Sequence, residues 1–201
     1  MDSAIRDIDW FEVKRKTAHI FVGVILAFLI YYNIITWWIL LIALLAGISI
    51  SLVSKKNRII LFDWMLNKFE RSEYLDTFPG RGVIFLFLGL TIIMVLFNKQ
   101  IVFASLMIWA FGDSISALVG KHYGRYKHPL NDARLIEGTI AGILFATIAA
   151  SFFVPVINAF IASFIAIFVE SIELKFIKKP IDDNFLVPVI SAVMLWILIL
   201  I

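Results

Sequence analysis

Acidic residues interrupt an otherwise apolar sequence at a few places, and their types and spacing could carry chemistry. Asp113 lies inside the apolar run that ends in "FGDSISALVGKHYGR", and Glu137, Glu170 and Asp183 follow in or beside later runs. The basic residues that follow Asp113 most closely are Lys121, Arg125, Lys127 and Arg134. Carboxylate oxygens suit Mg²⁺, which binds phosphates, and basic side chains neutralise the remaining phosphate charge. The combination indicates a site for Mg²⁺ with a nucleotide or pyrophosphate.

The composition is typical of an integral membrane protein. Of the 201 residues, 62% are hydrophobic and only 16% are charged, and the mean hydropathy is +0.97. Several apolar runs approach the ~20 residues that a helix needs to cross a hydrocarbon core. Because these runs are continuous rather than alternating, they favour helices over a β-barrel. We expect a single all-α domain over residues 1–201, without disulfides or cysteine metal sites, since cysteine is absent.

The elements that must position these residues are about seven predicted membrane spans. They lie near residues 17–35, 37–54, 82–98, 100–120, 135–155, 157–175 and 184–201. With the N-terminus in the cytoplasm, every basic residue except Lys99 falls on the cytoplasmic side, as the positive-inside rule predicts. We therefore expect a multi-pass protein whose chemistry faces the cytoplasm. Residues 55–81 mix charged and apolar side chains, which predicts an amphipathic interfacial helix between spans two and three.

Polar residues of several spans fall at a similar depth. At ~1.5 Å per residue, Asp113, Glu170 and His19 lie about 20 Å from the outer surface, and Glu137 and Asp183 about 27 Å. A charge inside a membrane costs on the order of 3 kcal/mol, so these groups should face the bundle interior and either pair or bind a ligand. Two interpretations stay open: the acids hold helices together or neutralise basic anchors, or they form a site. Apolar outer halves of the spans argue against a transport path.

Glycines flank the polar residues. Gly112, Gly120 and Gly124 would let a backbone approach phosphates closely, although the P-loop spacing does not occur. Gly138 and Gly142 form a G-x-x-x-G pattern, which predicts close helix packing.

Three segments carry a resemblance to a known family. "GDSISALVGKHYGRYK…RLIEGTIAG", "RKTAH" and "DDNFLVP" resemble the CTP-dependent lipid kinases, which include dolichol kinase, phytol kinase and the yeast-type diacylglycerol kinase. A more distant likeness links them to phosphatidate cytidylyltransferase. The resemblance implies a kinase that phosphorylates a membrane lipid alcohol, isoprenoid or diacylglycerol-like, at the cytoplasmic face. CTP would be the donor, Mg²⁺ or another divalent cation the cofactor, and a CDP-lipid synthase the alternative. Nucleic acid is not an expected partner.

The resemblance also implies roles for individual residues. Asp113 is expected to hold the metal together with Glu137 or Asp183, and His19 to accept a proton or contact phosphate, unless His19 is only structural. Nucleotide contacts are expected from Gly112, Ser114, Gly120, Lys121, Gly124, Arg125, Lys127, Arg134 and Lys16. Supporting roles are expected for Arg15, Glu170, Glu173, Gly138 and Asn184. Arg134-Leu135 departs from the usual Lys-Ser/Thr of the family, which removes a hydroxyl that could touch phosphate or metal.

Overall fold

A computed structural model describes residues 9–54, 64, 66, 68–70, 72–75, 77–172, 175–176 and 179–200. Its helices are α1 (Trp10–Tyr31), α2 (Trp37–Ser54), α3 (Ser72–Leu75), α4 (Arg81–Leu96), α5 (Lys99–Met107), α6 (Ser114–Tyr123), α7 (Ile136–Ala150), α8 (Val156–Ile172) and α9 (Asp183–Leu200). A π-helical turn, Ile108–Asp113, joins α5 to α6. Two antiparallel hairpins pair β1 (Lys127–His128) with β2 (Asn131–Leu135), and β3 (Lys175–Phe176) with β4 (Lys179–Pro180).

The predicted all-α class is confirmed, although the two short hairpins were not predicted. Among the described residues, three helices are long and apolar enough to cross a membrane: Trp37–Ser54, Lys99–Tyr123 and Asp183–Leu200. α4, α7 and α8 are apolar but shorter. The predicted interfacial helix lies largely outside the described residues, and within its range the structure has the short helix α3.

The continuous rod Lys99–Tyr123 forms the centre of the bundle. Its most apolar 18-residue window is 78% buried, against 17% for α2, so the rod is core and α2 is peripheral. Helices α1, α7, α8 and α9 all contact the rod, while α4 packs between α2 and α9. Trp109 and Ala110 of the π-helical turn are fully buried. π-helical turns are rare, and those that occur are often at functional sites. This turn therefore marks the part of the rod around Asp113 as a candidate site.

Glycines allow the helices to approach the rod closely. A Cβ on Gly138 would overlap the carbonyl oxygen of Ser116 and lie 2.7 Å from Gly120 Cα. One on Gly142 would lie 2.8 Å from the carbonyl oxygen of Gly112. These are backbone atoms that cannot rotate away. The close packing predicted for Gly138 and Gly142 is therefore confirmed, and it joins α7 to α6 and the π-helical turn.

Substitution of Gly138 tests this contact. We expect Gly138→Ala to lower the free energy of unfolding by about 1–3 kcal/mol, because its methyl group overlaps backbone atoms. The matched control is Gly47→Ala, also within a helix, whose Cβ would meet Ile84 Cγ1 at an ordinary 3.5 Å. The measurement is the unfolding midpoint in detergent. Equal midpoints for the two variants would contradict the packing argument.

Candidate functional site

Three carboxylates from three helical segments converge in the bundle. Asp113 ends the π-helical turn, Glu170 lies in the last turn of α8, and Asp183 begins α9. One oxygen of each lies within 4.8 Å of the others. Asp113 and Glu170 are each only 1% exposed, and Asp183 is partly buried. We refer to these three residues as the carboxylate cluster.

Helix α1 brings a cation and an imidazole to Asp113. Lys16 Nζ lies 2.6 Å from both carboxylate oxygens of Asp113, and Lys16 is itself buried. Nearly one turn later in α1, His19 Nδ1 lies 3.2 Å from Asp113 Oδ2. If Nδ1 carries the proton and donates it to Asp113, Nε2 keeps a lone pair and can accept a proton. The structure thus places two of the predicted α1 residues directly at Asp113.

Arg134 bridges the other two carboxylates. Its guanidinium lies 2.9 Å from Glu170 Oε1 and 3.1 Å from Asp183 Oδ2. The negative charges of Glu170 and, to a smaller extent, Asp183 raise the pKa of Arg134 above its ordinary value, so the guanidinium stays charged. Arg134 lies near the end of β2, and Asn131 Nδ2 anchors that strand by donating to the Ser171 carbonyl oxygen at 3.0 Å. The hairpin therefore delivers Arg134 to the carboxylate cluster.

The carboxylate cluster has the donor set of a hard divalent cation. Its three carboxyl groups lie beside two basic side chains, Lys16 and Arg134. Glu170 Oε2 is buried without a hydrogen-bond partner among the described residues, as is the hydroxyl of Ser114, the residue after Asp113. A buried polar atom without a partner is costly. Three converging carboxyl groups and an unpartnered carboxyl oxygen fit Mg²⁺.

The predicted metal ligand Glu137 lies elsewhere. Its carboxylate accepts hydrogen bonds from the backbone N–H groups of Arg125, at 2.8 Å, and Tyr126, at 3.2 Å. Glu137 thus fixes the turn between α6 and β1. The structure brings Asp113 and Asp183 together as expected, but the third carboxylate is Glu170, for which the sequence indicated a supporting role. Depth along a helix, used to group these acids, does not specify which way each side chain points.

Only some of the basic residues that were expected to contact phosphate lie at the carboxylate cluster. Lys121, Arg125 and Lys127 are exposed. Lys121 pairs with Asp9 at 2.5 Å, and Lys127 lies 3.6 Å from Asp132. Arg134 and Lys16 are the predicted phosphate contacts that the structure places at the carboxylate cluster. The other three lie at the C-terminal end of α6 and at the start of the hairpin.

Three glycines that were predicted to contact nucleotide pack closely against other parts of the protein. A Cβ on Gly112 would lie 2.5 Å from Ile167 Cδ1, and one on Gly124 would lie 2.6 Å from Leu135 Cδ1. Gly120 faces Gly138 across the α6–α7 contact. Their small size is thus explained by contacts within the protein.

Of the other residues with expected supporting roles, Arg15 and Asn184 lie within the described part of the chain. Arg15 pairs with Glu12 on the same helix at 2.6 Å. Asn184 Oδ1 accepts a hydrogen bond from Trp109 Nε1 at 3.1 Å. Glu173 lies outside the described residues.

Sequence reasoning missed a group of connected polar side chains next to the carboxylate cluster. We call this group the polar layer, and it consists of Trp109, Asn184, Asp182 and Arg81. Trp109 is fully buried, and its ring centroid lies 4.7 Å from that of His19. Asp182 accepts hydrogen bonds from Asn184 and pairs with Arg81 Nε at 2.9 Å. A buried tryptophan usually needs a partner for its indole N–H, but its burial is seen only in the structure, so the sequence does not single out Trp109.

Glu70 adjoins this polar layer from the segment before α4. Burial and, to a smaller extent, the negative charge of Asp182 raise the pKa of Glu70 to about 7. The N–H of Gly82 and the charge of Arg81 oppose this shift without cancelling it. The folded state therefore binds a proton at Glu70 more tightly than the unfolded state does.

This shift predicts a pH dependence of stability. The contribution of Glu70 is fully present below its ordinary pKa of 4.5 and is lost as the pH rises through about 7. Glu70→Gln should remove this loss, so the variant gains on the order of 1 kcal/mol relative to wild type between pH 5 and 8, after allowance for solvent screening. Unfolding midpoints at the two pH values measure the gain. Asp132→Asn, at an exposed loop carboxylate, is the control, and parallel pH profiles of wild type and Glu70→Gln would contradict the assignment.

Comparisons with known proteins reveal one distant relative. The chain is 29% identical over 114 residues to an uncharacterized protein of Methanocaldococcus jannaschii, a match that covers 54% of this chain and 56% of that protein. The chain thus matches only about half the length of this curated relative. No protein-family model and no solved structure matches the chain.

Proposed function

We propose that this protein is a membrane enzyme that transfers the γ-phosphoryl group of CTP to the hydroxyl of a lipid alcohol. The observation that carries the proposal is the carboxylate cluster with its cations: three acids from separate segments within 4.8 Å, contacted by Lys16 and Arg134. Phosphoryl transfer demands mainly positioning and charge neutralisation, which this arrangement supplies. The choice of CTP and of a lipid alcohol rests on the resemblance of the three sequence segments to the lipid kinases.

The proposed topology has seven spans with the N-terminus and the site at the cytoplasmic side. Its support is that the site residues lie at matching ends of successive helices. Lys16 lies in the first two turns of α1, Glu170 in the last turn of α8, and Asp183 at the start of α9. Arg134 comes from the hairpin between α6 and α7, where basic residues are frequent. The positive-inside rule assigns that end to the cytoplasm.

The carboxylate cluster would hold a divalent cation through Asp113, Glu170 and Asp183. Bound there, the cation would neutralise charge on the triphosphate. Lys16 and Arg134 bring two basic side chains to the same place, where phosphate oxygens would otherwise be repelled by the acids. The Ser114 hydroxyl, buried without a partner among the described residues, has a free donor for a phosphate oxygen. These groups orient the triphosphate and compensate the charge that develops on it.

In the proposed step, the lipid hydroxyl oxygen attacks the γ-phosphorus. A new P–O bond to the lipid forms, the bond from the γ-phosphorus to the β–γ bridging oxygen breaks, and CDP leaves with that electron pair. The hydroxyl proton passes to His19 Nε2, whose Nδ1–H is held by Asp113. His19 is suited to this role because its ring is partly exposed while its Nδ1 partner is buried. The lipid phosphate and CDP are the products.

A CDP-lipid synthase is the competing reaction. It would need a further basic site for the phosphate of its lipid substrate, and the sequence offered Arg15 and Lys16 for that purpose. In the proposed site Lys16 is already used by Asp113 and the triphosphate, and Arg15 pairs with Glu12, so neither is left for a second phosphate. This pairing favours the kinase.

Label transfer separates the two reactions. Purified protein in detergent is incubated with Mg²⁺, a panel of lipid alcohols plus phosphatidic acid, and CTP labelled at either the α or the γ position. We expect γ label to enter a lipid alcohol with release of CDP. Transfer of α label with release of pyrophosphate would establish the synthase, and transfer of neither label would contradict both functions.

Loss of Asp113 tests the site itself. Asp113→Asn should reduce γ-label transfer by at least about a hundredfold, because the substitution removes charge from both the metal site and the contact with His19. The control is Asp132→Asn, whose carboxylate is exposed on the hairpin and 3.6 Å from Lys127. Retention of wild-type transfer by Asp113→Asn would refute the proposed site.

Metal affinity tests which acids are ligands. We expect Glu170→Gln to weaken Mn²⁺ binding by at least about tenfold, measured by the electron paramagnetic resonance signal of free Mn²⁺. Glu137→Gln should leave the affinity within about twofold, because that carboxylate binds backbone N–H groups of the α6–β1 turn. The opposite ranking would restore Glu137 as a metal ligand and exclude Glu170.

A further inference from the structure

A series of side-chain hydrogen bonds, extended by an ion pair, runs from the rod to the start of α4. Trp109 Nε1 donates to Asn184 Oδ1 at 3.1 Å, and Asn184 Nδ2 donates to Asp182 Oδ1 at 2.7 Å. Asp182 Oδ2 lies 2.9 Å from Arg81 Nε at the start of α4. Trp109 belongs to the rod, Asn184 to α9 and Arg81 to α4, while Asp182 directly precedes α9. The series thus ties the first turn of α9 to two other helices.

The series restrains the position of Asp183 in particular. It lies between Asp182 and Asn184 in the sequence, so both of its neighbours are held by side-chain hydrogen bonds. A rotation of the first turn of α9 would break the Trp109–Asn184 bond and move the Asp183 carboxylate away from Asp113 and Glu170. A Cβ on Gly82 would lie 3.0 Å from Asn184 Nδ2, so α4 also closes on this turn.

Trp109 contacts the site on its other side as well. Its ring centroid lies 4.7 Å from that of His19, at an interplanar angle of 44°. Trp109 is fully buried, so its position is fixed by the packing of the rod. One side chain therefore restrains both the imidazole on α1 and the N-terminus of α9.

We infer that Trp109 is a positioning residue that sets the metal affinity of the carboxylate cluster through Asn184 and the orientation of His19 through its ring. The inference rests on the proposed function, since it presumes a divalent cation at the cluster. Partners of metal ligands orient those ligands, and their loss typically weakens metal binding by about tenfold or more. Trp109 acts through its neighbours and touches neither the metal nor the reacting atoms.

The test is the Mn²⁺ dissociation constant of the full-length protein in detergent. Trp109→Phe keeps an aromatic ring but removes the N–H donor, and we expect it to raise the dissociation constant by about tenfold. Trp196→Phe is the matched control, since Trp196 is 47% exposed on the same helix as Asp183. Asn184→Leu removes the other partner of the bond and should have a similar or larger effect. If both act through that bond, the double variant should bind no more weakly than Asn184→Leu alone.

The outcomes separate this inference from the proposed function. If wild type and Asp183→Asn both fail to bind Mn²⁺, the metal site is wrong and the inference falls with it. If wild type binds, Asp183→Asn does not, and both Trp109→Phe and Asn184→Leu bind as wild type does, the metal site stands and the positioning role is overturned. A lowered unfolding midpoint with an unchanged dissociation constant in these two variants would also overturn it. Should Trp109→Phe not fold, Asn184→Leu decides alone.

Discussion

The buried ion pair between Lys16 and Asp113 constrains the rest of the structure. A carboxylate removed from water costs several kcal/mol unless a charged partner and further hydrogen bonds compensate it. Lys16 Nζ, 2.6 Å from both oxygens, is that partner, and it can reach Asp113 only if α1 packs along the rod. The close approach of α1 at Gly23, where a Cβ would overlap Ala110, keeps the helix at that distance. Packing and electrostatics thus fix the same helix pair.

The need to compensate buried acids also explains the β1–β2 hairpin between α6 and α7. Glu170 and Asp183 face Asp113 and add negative charge, which α1 alone does not compensate. Arg134 supplies the missing cation from outside the helices, with one nitrogen of its guanidinium near each acid. The fixed fork of a guanidinium suits two acids better than an ammonium does. Glu137 then acts on the backbone of the turn that leads into the hairpin, and so supports Arg134 from a distance.

Sequence reasoning predicted the helical class and the close packing at Gly138, but it expected Glu137 rather than Glu170 beside Asp113 and Asp183. Length and hydropathy predict spans, and rise per residue predicts depth, yet neither gives the rotation of a helix about its axis. Ala166 and Ile167, three and four residues before Glu170, are both fully buried, so the structure places Glu170 on the inward face of α8. Trp109 was harder to find, because a tryptophan within an apolar run has the same pattern whether it faces lipid or an asparagine.

A purely structural role for the carboxylate cluster is poorly supported by energetics. Buried ion networks can often be replaced by well-packed apolar residues at no loss of stability, and sometimes with a gain of 1–4 kcal/mol. Helix association in this bundle already has close glycine contacts at Gly138 and Gly142, which require no charge. Glu170 Oε2 is also buried without a hydrogen-bond partner among the described residues, which is costly for a carboxyl oxygen. The divalent cation proposed above would offset this cost by binding that oxygen.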